Sequence, residues 1–443
     1  MDKKISAITG RDVDFTKWYT DVVLKTDLAA YSNVKGSVYI PPYGCALWEN
    51  IKSDLDRRFR ETGHQNVMFP LLIPESMLQL EKDHIAGFAP EVAWVTHGGE
   101  EKLAERLCIR PTSEVLFYDY FANNIHSYRD LPKLYNQWGN VVRWEKTTRP
   151  FLRTTEFFWQ EGHTVHETEH EARTETMQMH KVYMDMCKEA LAIPMLAGRK
   201  TESEKFAGAE ETYTIEAMMH DGKALQAGTS HYFGQGFAKA FGIKFQGRDG
   251  REQTPYTTSW GLSTRIIGGI IMVHGDDNGL VMPPHVAPIQ VVVVPIRNVD
   301  VNPLLKKINA RVYIDNSDNT PGWKFSEWEM KGVPLRIEYG PRDAESGTCI
   351  IARRDTGEKS VVKISELNIP KLLQQVHDNM YKRALERMNS MTYNAKTIQE
   401  VISAPPGFVK TKYDPSWEAE LKKHAITPRC LLEGGFVIWG KSY

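Results

Sequence analysis

The stretch NVVRWEKTTRPFLRTTEFFWQEGH, residues 140–163, decides the fold. It begins with an apolar run that carries Arg143 and Glu145, and it ends with an aromatic run and Gln-Glu-Gly-His. Side chains two residues apart on a strand point to the same face, so Arg143 and Glu145 are expected to project together. The pattern predicts a hairpin with a long basic loop. The cations of that loop are Lys146, Arg149 and Arg153. Because a buried guanidinium needs an anion, the hairpin is expected to hold a phosphate or a carboxylate.

Length and composition place this hairpin in an ordinary multidomain protein. A chain of 443 residues predicts two or three domains. Lys and Arg number 55 against 56 Asp and Glu, so bulk charge does not indicate nucleic-acid binding and any basic surface must be local. The five cysteines form no CxxC pair, which favours a reducing cytoplasm over disulfides or a Cys-rich zinc site. No signal peptide or membrane-spanning run is recognised, so a cytoplasmic location without membrane contact is expected.

The part before residue 285 reads as an antiparallel sheet flanked by helices. Helical spacing follows Asp14, recurs through residues 47–59 and returns in residues 167–191. Pro70 interrupts an apolar strand, which places that strand at an edge or an interface. Residues 259–277 predict a glycine-rich turn leading into an apolar helix. There is no GxGxxG or GxxxxGK[ST] phosphate loop, so any nucleotide must be held by arginine side chains.

A second α/β part follows a proline-rich linker. Residues 280–290 break regular structure, and VVVVPI after them is a fully apolar strand of the buried, parallel type. Residues 312–314 and 335–339 predict similar strands with helices between them. An amphipathic helix over residues 369–391 and a small tail complete the chain.

Several polar residues have a structural interpretation beside a functional one. Arg143 and Glu145 form either a ligand site or a structural ion pair. Arg265 stands among glycines that permit close backbone approach, so it either binds a ligand or caps and packs its helix. Thr112 and Glu114 either bind a ligand or cap the helix that follows them.

The aromatic and histidine positions divide in the same way. His231 lies among small residues, which favours a site, whereas Trp159 and Phe206 are typical core aromatics. A metal cluster and solvated helix positions are both compatible with the nearby histidines, and their spacing matches no zinc pattern. These histidines are His163, His166 and His170. No nucleophile–base pair stands out, so covalent catalysis is not indicated.

Together these segments resemble a class II aminoacyl-tRNA synthetase, and more closely the prolyl-tRNA synthetases of the archaeal and eukaryotic type. GHQNVMFPLLIPES resembles motif 1 with Pro70 as the interface proline, the opening hairpin resembles motif 2, and SWGLSTRIIGG resembles motif 3 with Arg265. RPTSE, EKFAGAEETYTIE, LQAGTSH and PGWKFSEWEMKGVPLRIEYGPRD are further family strings.

The resemblance implies a multidomain α/β architecture. Residues 1–285 would form the catalytic domain on an antiparallel sheet, residues 286–385 an α/β anticodon-binding domain, and residues 386–443 a small α+β domain. It implies a proline–tRNA ligase that forms prolyl-adenylate from L-proline and ATP, with Mg²⁺, and then loads tRNA(Pro). Arg143 and Arg265 would be the catalytic residues.

The resemblance also implies two sets of contacts. Proline would be bound by Thr112, Glu114, Arg143, Trp159, Glu161, His163, Phe206 and His231. ATP would be bound by Arg143, Glu145, Arg153, Thr154, Gln226, Thr229, Ser263 and Arg265. Gln226 would lie near the magnesium ion, and Trp323, Lys324 and Lys331 would face RNA.

Departures from the family pattern leave rival interpretations open. Of the family's zinc cysteines only Cys430 remains, so no structural Zn²⁺ is expected. The connection over residues 296–311 leaves room for about two helical turns, where the family has a longer helix. No large insertion separates motifs 2 and 3, so mischarged alanine would be cleared by a separate factor. A homodimer is expected. The rivals are a paralogue that loads another acceptor and a non-catalytic tRNA-sensing protein.

Overall fold

A computed structural model describes residues 8–79 and 92–443 of the chain, and its first part is built on strands joined by hairpins. The strands of this part are β1 (Ala30–Tyr31), β2 (Val38–Tyr39), β3 (Gln65–Asn66), β4 (Leu72–Pro74), β5 (Ala93–Gly98), β6 (Glu101–Ile109), β7 (Lys133–Val142), β8 (Glu156–His166), β9 (Leu196–Arg199), β10 (Glu211–Met218), β11 (Ala224–Gly234), β12 (Phe245–Gln246), β13 (Glu252–Gln253) and β14 (Tyr256–Ser263). The helices are α1 (Phe15–Lys25), α2 (Pro42–Glu61), α3 (Glu75–Leu78), α4 (Glu114–Ala122), α5 (Glu169–Glu189), α6 (Gly236–Ala240) and α7 (Arg265–His274).

Local chemistry explains where the long helices begin and end. Asp14 caps α1 by accepting a hydrogen bond from the Lys17 amide at 2.9 Å. Thr168 and Glu171 form a reciprocal capping box at the start of α5. Beyond the end of α2, Gly63 adopts a φ of +86°, which a side chain would disfavour. The predicted helices at these places are confirmed.

The central sheet has one covered face and one open face. In this part its order is β9-β10-β11-β14-β8-β7-β3, antiparallel except for the β3–β7 pair. Helix α5 covers the face that carries Trp260 and Ser230, and the Ser230 hydroxyl donates to the Thr176 carbonyl at 2.7 Å. With that face buried, the side chains that alternate to the other face are available for a site.

Two local predictions in this part are wrong. SWGLS belongs to β14 and pairs on both sides, so the glycine-rich turn is in fact a central strand. Strand β7 ends at Val142, so the strand predicted through Glu145 stops before Arg143. The glycine in SWGLS weakens the apolar alternation by which a strand is recognised. Beyond Val142 the Glu145 amide donates to the Arg143 carbonyl at 2.8 Å, and this turn ends the strand where the alternation alone predicts that it continues.

The second part is the predicted α/β unit. Its strands are β15 (Val291–Pro295), β16 (Val312–Ile314), β17 (Leu335–Tyr339), β18 (Thr348–Arg353) and β19 (Lys359–Lys363), and its helices are α8 (Asn302–Leu305), α9 (Pro321–Met330), α10 (Pro341–Ser346) and α11 (Ile369–Ser390). The VVVVP strand β15 pairs in parallel with β16 and β17, while β18 and β19 add antiparallel strands. The shortened connection holds α8, a helix of 4 residues, where about two turns were expected.

Two lysines predicted to face RNA are tied into the protein instead. Lys324 is buried and donates from Nζ to the Asp315 carbonyl at 2.9 Å. Lys331 Nζ lies 2.8 Å from an Asp27 carboxylate oxygen of the first part, so it joins the two parts. Trp323, in contrast, is 50% exposed and remains available for stacking.

The third part extends the central sheet. It consists of β20 (Thr392–Asn394), β21 (Phe408–Lys412), β22 (Thr427–Leu432) and β23 (Phe436–Gly440), with α12 (Ile398–Ser403) and α13 (Glu418–Lys423). Strand β22 lies beside β9, so one sheet of 11 strands runs through the first and third parts. Cys430 is buried within β22, and burial raises the pKa of its thiol to about 12. Among the described residues, no helix has the length and apolar character needed to cross a bilayer.

Candidate active site

The side chains of the candidate site lie at paired positions of three adjacent strands, so they form rows across the sheet. Across β8, β14 and β11 one row consists of Glu161, Gly261 and Thr229, and the next consists of His163, Ser259 and His231. The rows step along β14 toward Ser263, after which Arg265 begins α7. A cavity of about 220 Å³ lies over them, and the glycine in the middle strand leaves its floor open.

One end of the cavity is acidic. The Thr112 hydroxyl donates to Glu114, and the Ser113 amide donates to Oε2 of Glu161 at 3.0 Å. Nε2 of His163 lies 3.0 Å from the same Glu161 oxygen. Helix α4 begins at Glu114 without a side-chain capping bond, so Thr112 and Glu114 serve the cavity and not the helix end. Two buried carboxylates at one place favour a cationic ligand.

The same group satisfies the spacing of a metal site. Ligand atoms of Glu114, Glu161 and His163 lie within 4.8 Å of one another. Of the two interpretations of the nearby histidines, neither holds for His163 and His166. Both are buried on strand β8 and not on a solvated helix, and His166, three residues from His163, contacts Thr164 instead of joining a cluster. An organic ammonium and a metal cation are both compatible with this acidic end.

His231 and Phe206 form a fixed wall. Both ring nitrogens of His231 are engaged, Nδ1 with the Thr212 hydroxyl at 2.9 Å and Nε2 with the Thr229 hydroxyl at 3.0 Å. The Phe206 ring lies 4.7 Å from the His231 ring, and its amide donates to Thr212 at 3.0 Å. Because these bonds fix the ring orientation, the wall is preorganised for a small apolar group.

Arg143 stands one residue beyond β7 and enters the cavity. Its Nε donates to the Pro111 carbonyl at 3.0 Å, and its guanidinium lies 5.3 Å from the Phe157 ring and 5.5 Å from the Trp159 ring. Glu145 turns away, with its carboxylate 3.9 Å from Arg153 outside the cavity. The expectation that Arg143 and Glu145 share a strand face therefore fails.

Arg265 marks the other end of the cavity. Its Nε donates to the Leu152 carbonyl at 3.0 Å, and its guanidinium lies 5.5 Å from the ring of Tyr443. The Tyr443 hydroxyl donates to the same carbonyl at 3.2 Å. A Cβ on Gly268 would meet the Leu152 side chain at 2.4 Å, so this glycine serves helix packing and not ligand approach.

The structure gathers most of the predicted contact residues and leaves four outside. The cavity is lined by Thr112, Glu114, Arg143, Trp159, Glu161, Phe206, Gln226, Thr229, His231, Ser263 and Arg265. His163 lies behind Glu161 and is 1% exposed. Thr154 lines a separate cavity of about 20 Å³, whose wall it shares with Phe157. Glu145 and Arg153 lie on the hairpin loop.

Other lining residues escaped the sequence analysis. Phe157, Lys200, Glu204 and Thr212 line the cavity as well. A signal existed for Thr212, because residues 212, 214 and 216 alternate polar side chains on one face of β10. Lys200 gave none, since its acidic partner Glu216 is 16 residues away.

Comparison with known proteins agrees with this geometry. Residues 95–274 match the family model of the tRNA synthetase class II core domain (G, H, P, S and T), and residues 290–374 match that of an anticodon binding domain. A proline–tRNA ligase of Oceanobacillus iheyensis is 57% identical over 443 residues, covering 96% of this chain and 92% of that protein. One of Clostridium novyi is 52% identical over 479 residues, covering 100% of both.

A solved structure shows the same fold with ligands. Prolyl-tRNA synthetase of Cryptosporidium parvum, in complex with L-proline and AMP, superposes with a TM-score of 0.92 at 38% identity, covering 99% of this chain and 98% of that chain. The core with its antiparallel sheet, followed by an anticodon-binding domain, defines a class II tRNA synthetase. Within that class, the chain belongs to the proline–tRNA ligase family. The predicted fold class and resemblance are confirmed.

Proposed function

We propose that the chain activates L-proline with ATP and then transfers the prolyl group to the 3′ end of tRNA(Pro). One observation carries this proposal: a single cavity joins a buried acidic end to Arg143 and, farther along β14, to Arg265. The acidic end suits the secondary ammonium of proline. The fixed wall of Phe206 and His231 suits its ring, and the arginines suit its carboxylate and the phosphates.

The first reaction needs little proton transfer. The proline carboxylate attacks the α-phosphorus of ATP, the new C(=O)–O–P bond forms, and pyrophosphate leaves with the electrons of the broken P–O bond. Arg143 would bridge the carboxylate and the α-phosphate, which are both anionic and otherwise repel. Arg265, Thr229 and Ser263 would hold the nucleotide. Catalysis then depends on positioning and on neutralisation of charge.

The residues present fit a magnesium ion bound with ATP. Gln226 lines the cavity with an amide oxygen, the hard type of ligand that Mg²⁺ accepts alongside phosphate oxygens and water. Glu216, opposite Gln226 in the sheet, is occupied by two cations and is not available as a ligand. When bound, the ion would supply further neutralisation of phosphate charge.

In the second reaction the tRNA would contact the cavity with its 3′ end and the second part with its anticodon. The terminal ribose hydroxyl of the tRNA attacks the carbonyl carbon of prolyl-adenylate, and AMP leaves. For the anticodon we propose the groove of about 390 Å³ in the second part. Arg336 and Lys359 lie over the Phe325 ring there, at 4.5 and 5.1 Å, and share the single carboxylate of Glu338. Cations beside an aromatic ring suit unstacked bases and their phosphates.

A homodimer is proposed from the exposed apolar side chains around Pro70. Met68 is 95% exposed, and Leu71 and Leu72 are 41% and 39% exposed. Contiguous exposed apolar residues mark interaction surfaces, and these lie in the segment that resembles motif 1. Met68→Lys is expected to shift the protein toward monomers in sedimentation analysis, and an unchanged dimer would remove this segment from the interface.

Accuracy and location complete the proposal. A proline pocket discriminates against alanine by only about 1–3 kcal/mol of binding free energy for each missing methylene group. Clearance of alanyl-tRNA(Pro) is therefore assigned to a separate factor. Rapid hydrolysis of alanyl-tRNA(Pro) by the purified protein would contradict that assignment. A cytoplasmic location is supported by the cysteines, which are free thiols and are buried except for Cys45.

Two assays test the proposed function. ATP–pyrophosphate exchange that depends on proline measures the first reaction, and charging of tRNA(Pro) measures the second. We expect both activities. Absence of exchange would refute the proposal, while exchange without charging would assign the protein to a paralogue that loads another acceptor.

A further inference from the structure

A buried ionic cluster adjoins the cavity. The carboxylate of Glu216 receives Lys200 Nζ on Oε1 at 2.7 Å and Arg429 Nη2 on Oε2 at 2.9 Å. The side chains of Glu216, Lys200 and Arg429 are 0%, 3% and 7% exposed. Lys200 also lines the cavity, whereas Arg429 belongs to β22 of the third part. The third part therefore reaches the active site through a shared carboxylate.

The cluster carries excess positive charge. Two cations share one anion, and burial, which by itself raises the pKa of Glu216, is outweighed by Lys200 and Arg429, which hold that pKa below its usual value. Glu216 stands directly opposite Gln226 on β11, and Gln226 lines the cavity on the side assigned to phosphates. The unbalanced charge therefore lies on the side of the cavity that is proposed to hold the ATP phosphates.

Arg429 controls how strongly Glu216 holds Lys200. Because Arg429 occupies one carboxylate oxygen, Lys200 neutralises only part of the Glu216 charge, and its ammonium retains attraction for an anion in the cavity. Arg429 is itself fixed by a bond from Nη1 to the Thr427 hydroxyl at 3.0 Å. Without Arg429, Lys200 and Glu216 would form a neutral buried pair.

We propose that Arg429 is a positioning residue for ATP, which acts through Glu216 to keep the Lys200 ammonium available to the phosphates. This inference rests on the proposed adenylate-forming reaction and assigns part of its nucleotide site to the third part of the chain. A second contact agrees with that assignment, since Glu418 of the third part accepts a bond from Ser203, in the segment that carries Glu204 and Phe206.

The test measures steady-state pyrophosphate exchange and binding of a non-hydrolysable ATP analogue by calorimetry. Arg429→Gln is expected to raise the KM for ATP and the Kd of the analogue about tenfold, the effect of one charged hydrogen bond, and to leave the KM for proline unchanged. The matched control is Lys412→Gln on β21 of the same part, from which β22 is separated by β23. Its ammonium donates to the Gly434 carbonyl at 2.7 Å on the surface, so no kinetic change is expected.

A double-mutant cycle separates positioning from general support. If Arg429 acts through Lys200, the tenfold effect of Arg429→Gln disappears in a Lys200→Met background. Arg429→Lys retains the charge and is expected to recover most of the ATP affinity. Should Arg429→Gln fail to fold by thermal melting, Lys200→Met alone is the test variant. A higher KM for ATP with an unchanged KM for proline is expected, and an unchanged KM for ATP would overturn the proposal.

The outcomes distinguish the inference from the proposed function. A wild-type protein without proline-dependent exchange would overturn both. Normal wild-type exchange combined with equal increases in the KM for ATP and for proline would overturn the positioning role alone. An Arg429 effect that persists in full after Lys200→Met would overturn it as well.

Discussion

Replacing Arg143 by alanine is the sharpest test of the active site. In the structure this guanidinium is held by the Pro111 carbonyl at 3.0 Å and by the rings of Phe157 and Trp159. A charged hydrogen bond to the proline carboxylate contributes about 1.5–3 kcal/mol, and a donor that stabilises developing charge contributes about 3–4 kcal/mol more in the transition state. The expected loss in kcat/KM for exchange is therefore about a thousandfold or more.

The comparison requires a control of similar local chemistry. Arg248 has its guanidinium 4.5 Å from the Tyr128 ring and 3.1 Å from Glu167, but it lies outside the cavity. Arg248→Ala is expected to keep full exchange activity. Arg143→Ala should retain the circular dichroism spectrum and the oligomeric state of the wild type. Exchange by Arg143→Ala within a few-fold of the wild type would refute the role given to this residue.

Three further predictions concern binding, domain contact and pH. Phe206→Ala should raise the KM for proline at least about tenfold through loss of apolar contact, with the KM for ATP unchanged. Parallel increases in both constants would contradict the role of Phe206 and His231 as a wall for the proline ring. Arg354 of the second part donates two hydrogen bonds to Asp276 of the first part, at 2.6 and 2.7 Å. Arg354→Leu should lower the free energy of unfolding by about 2 kcal/mol, and combining it with Asp276→Asn should cost less than the sum of the two single effects. Full additivity in urea titrations would show that the two residues are not coupled. His274 donates to the Leu191 carbonyl at 2.9 Å, and burial lowers its pKa to about 3. In the unfolded chain this histidine binds a proton near pH 6.5, whereas in the folded protein it stays neutral down to about pH 3. Neutral His274 therefore makes its full contribution to the free energy of unfolding above pH 6.5, and that contribution falls by about 1.4 kcal/mol per pH unit as the pH decreases toward 3. His274→Gln should flatten the decline measured by urea unfolding between pH 7 and pH 5, and an unchanged slope would assign the decline to other groups.

The sequence allowed prediction of elements whose signals are local. The helix after Asp14, the helix within residues 167–191 and the VVVVP strand each depend on neighbouring residues, and each is present as expected. Side chains such as Glu161 and His231 were identified because they belong to long family strings. These strings also gave the correct class of protein.

Features that depend on distant partners were not predictable in this way. Lys324 looked like an RNA contact, but its position beneath Asp315 depends on how α9 packs, which spacing does not encode. Beyond β7 the Arg143 amide still donates to the Thr155 carbonyl at 2.8 Å, but the Glu145 amide then donates back to the Arg143 carbonyl at 2.8 Å, and this tight turn takes the chain out of the ladder. No local pattern marked Arg429, because its contact with Glu216 exists only when β22 of the third part lies beside β9 of the first.

That junction also has a consequence for synthesis of the chain. Glu216 and Arg429 are 213 residues apart, so the ribosome releases β9 and β10 long before β22 can cover the edge of β9. During this interval the edge of β9 is unpaired, and the Glu216 carboxylate has Lys200 as a partner but not yet Arg429. Unpaired edges template aggregation, so the central sheet is most vulnerable while its last four strands are still being made. On the role proposed for Arg429, the cavity would gain its full phosphate-binding charge only after translation of the third part, and chains released early would carry the Arg143 hairpin and Arg265 without it.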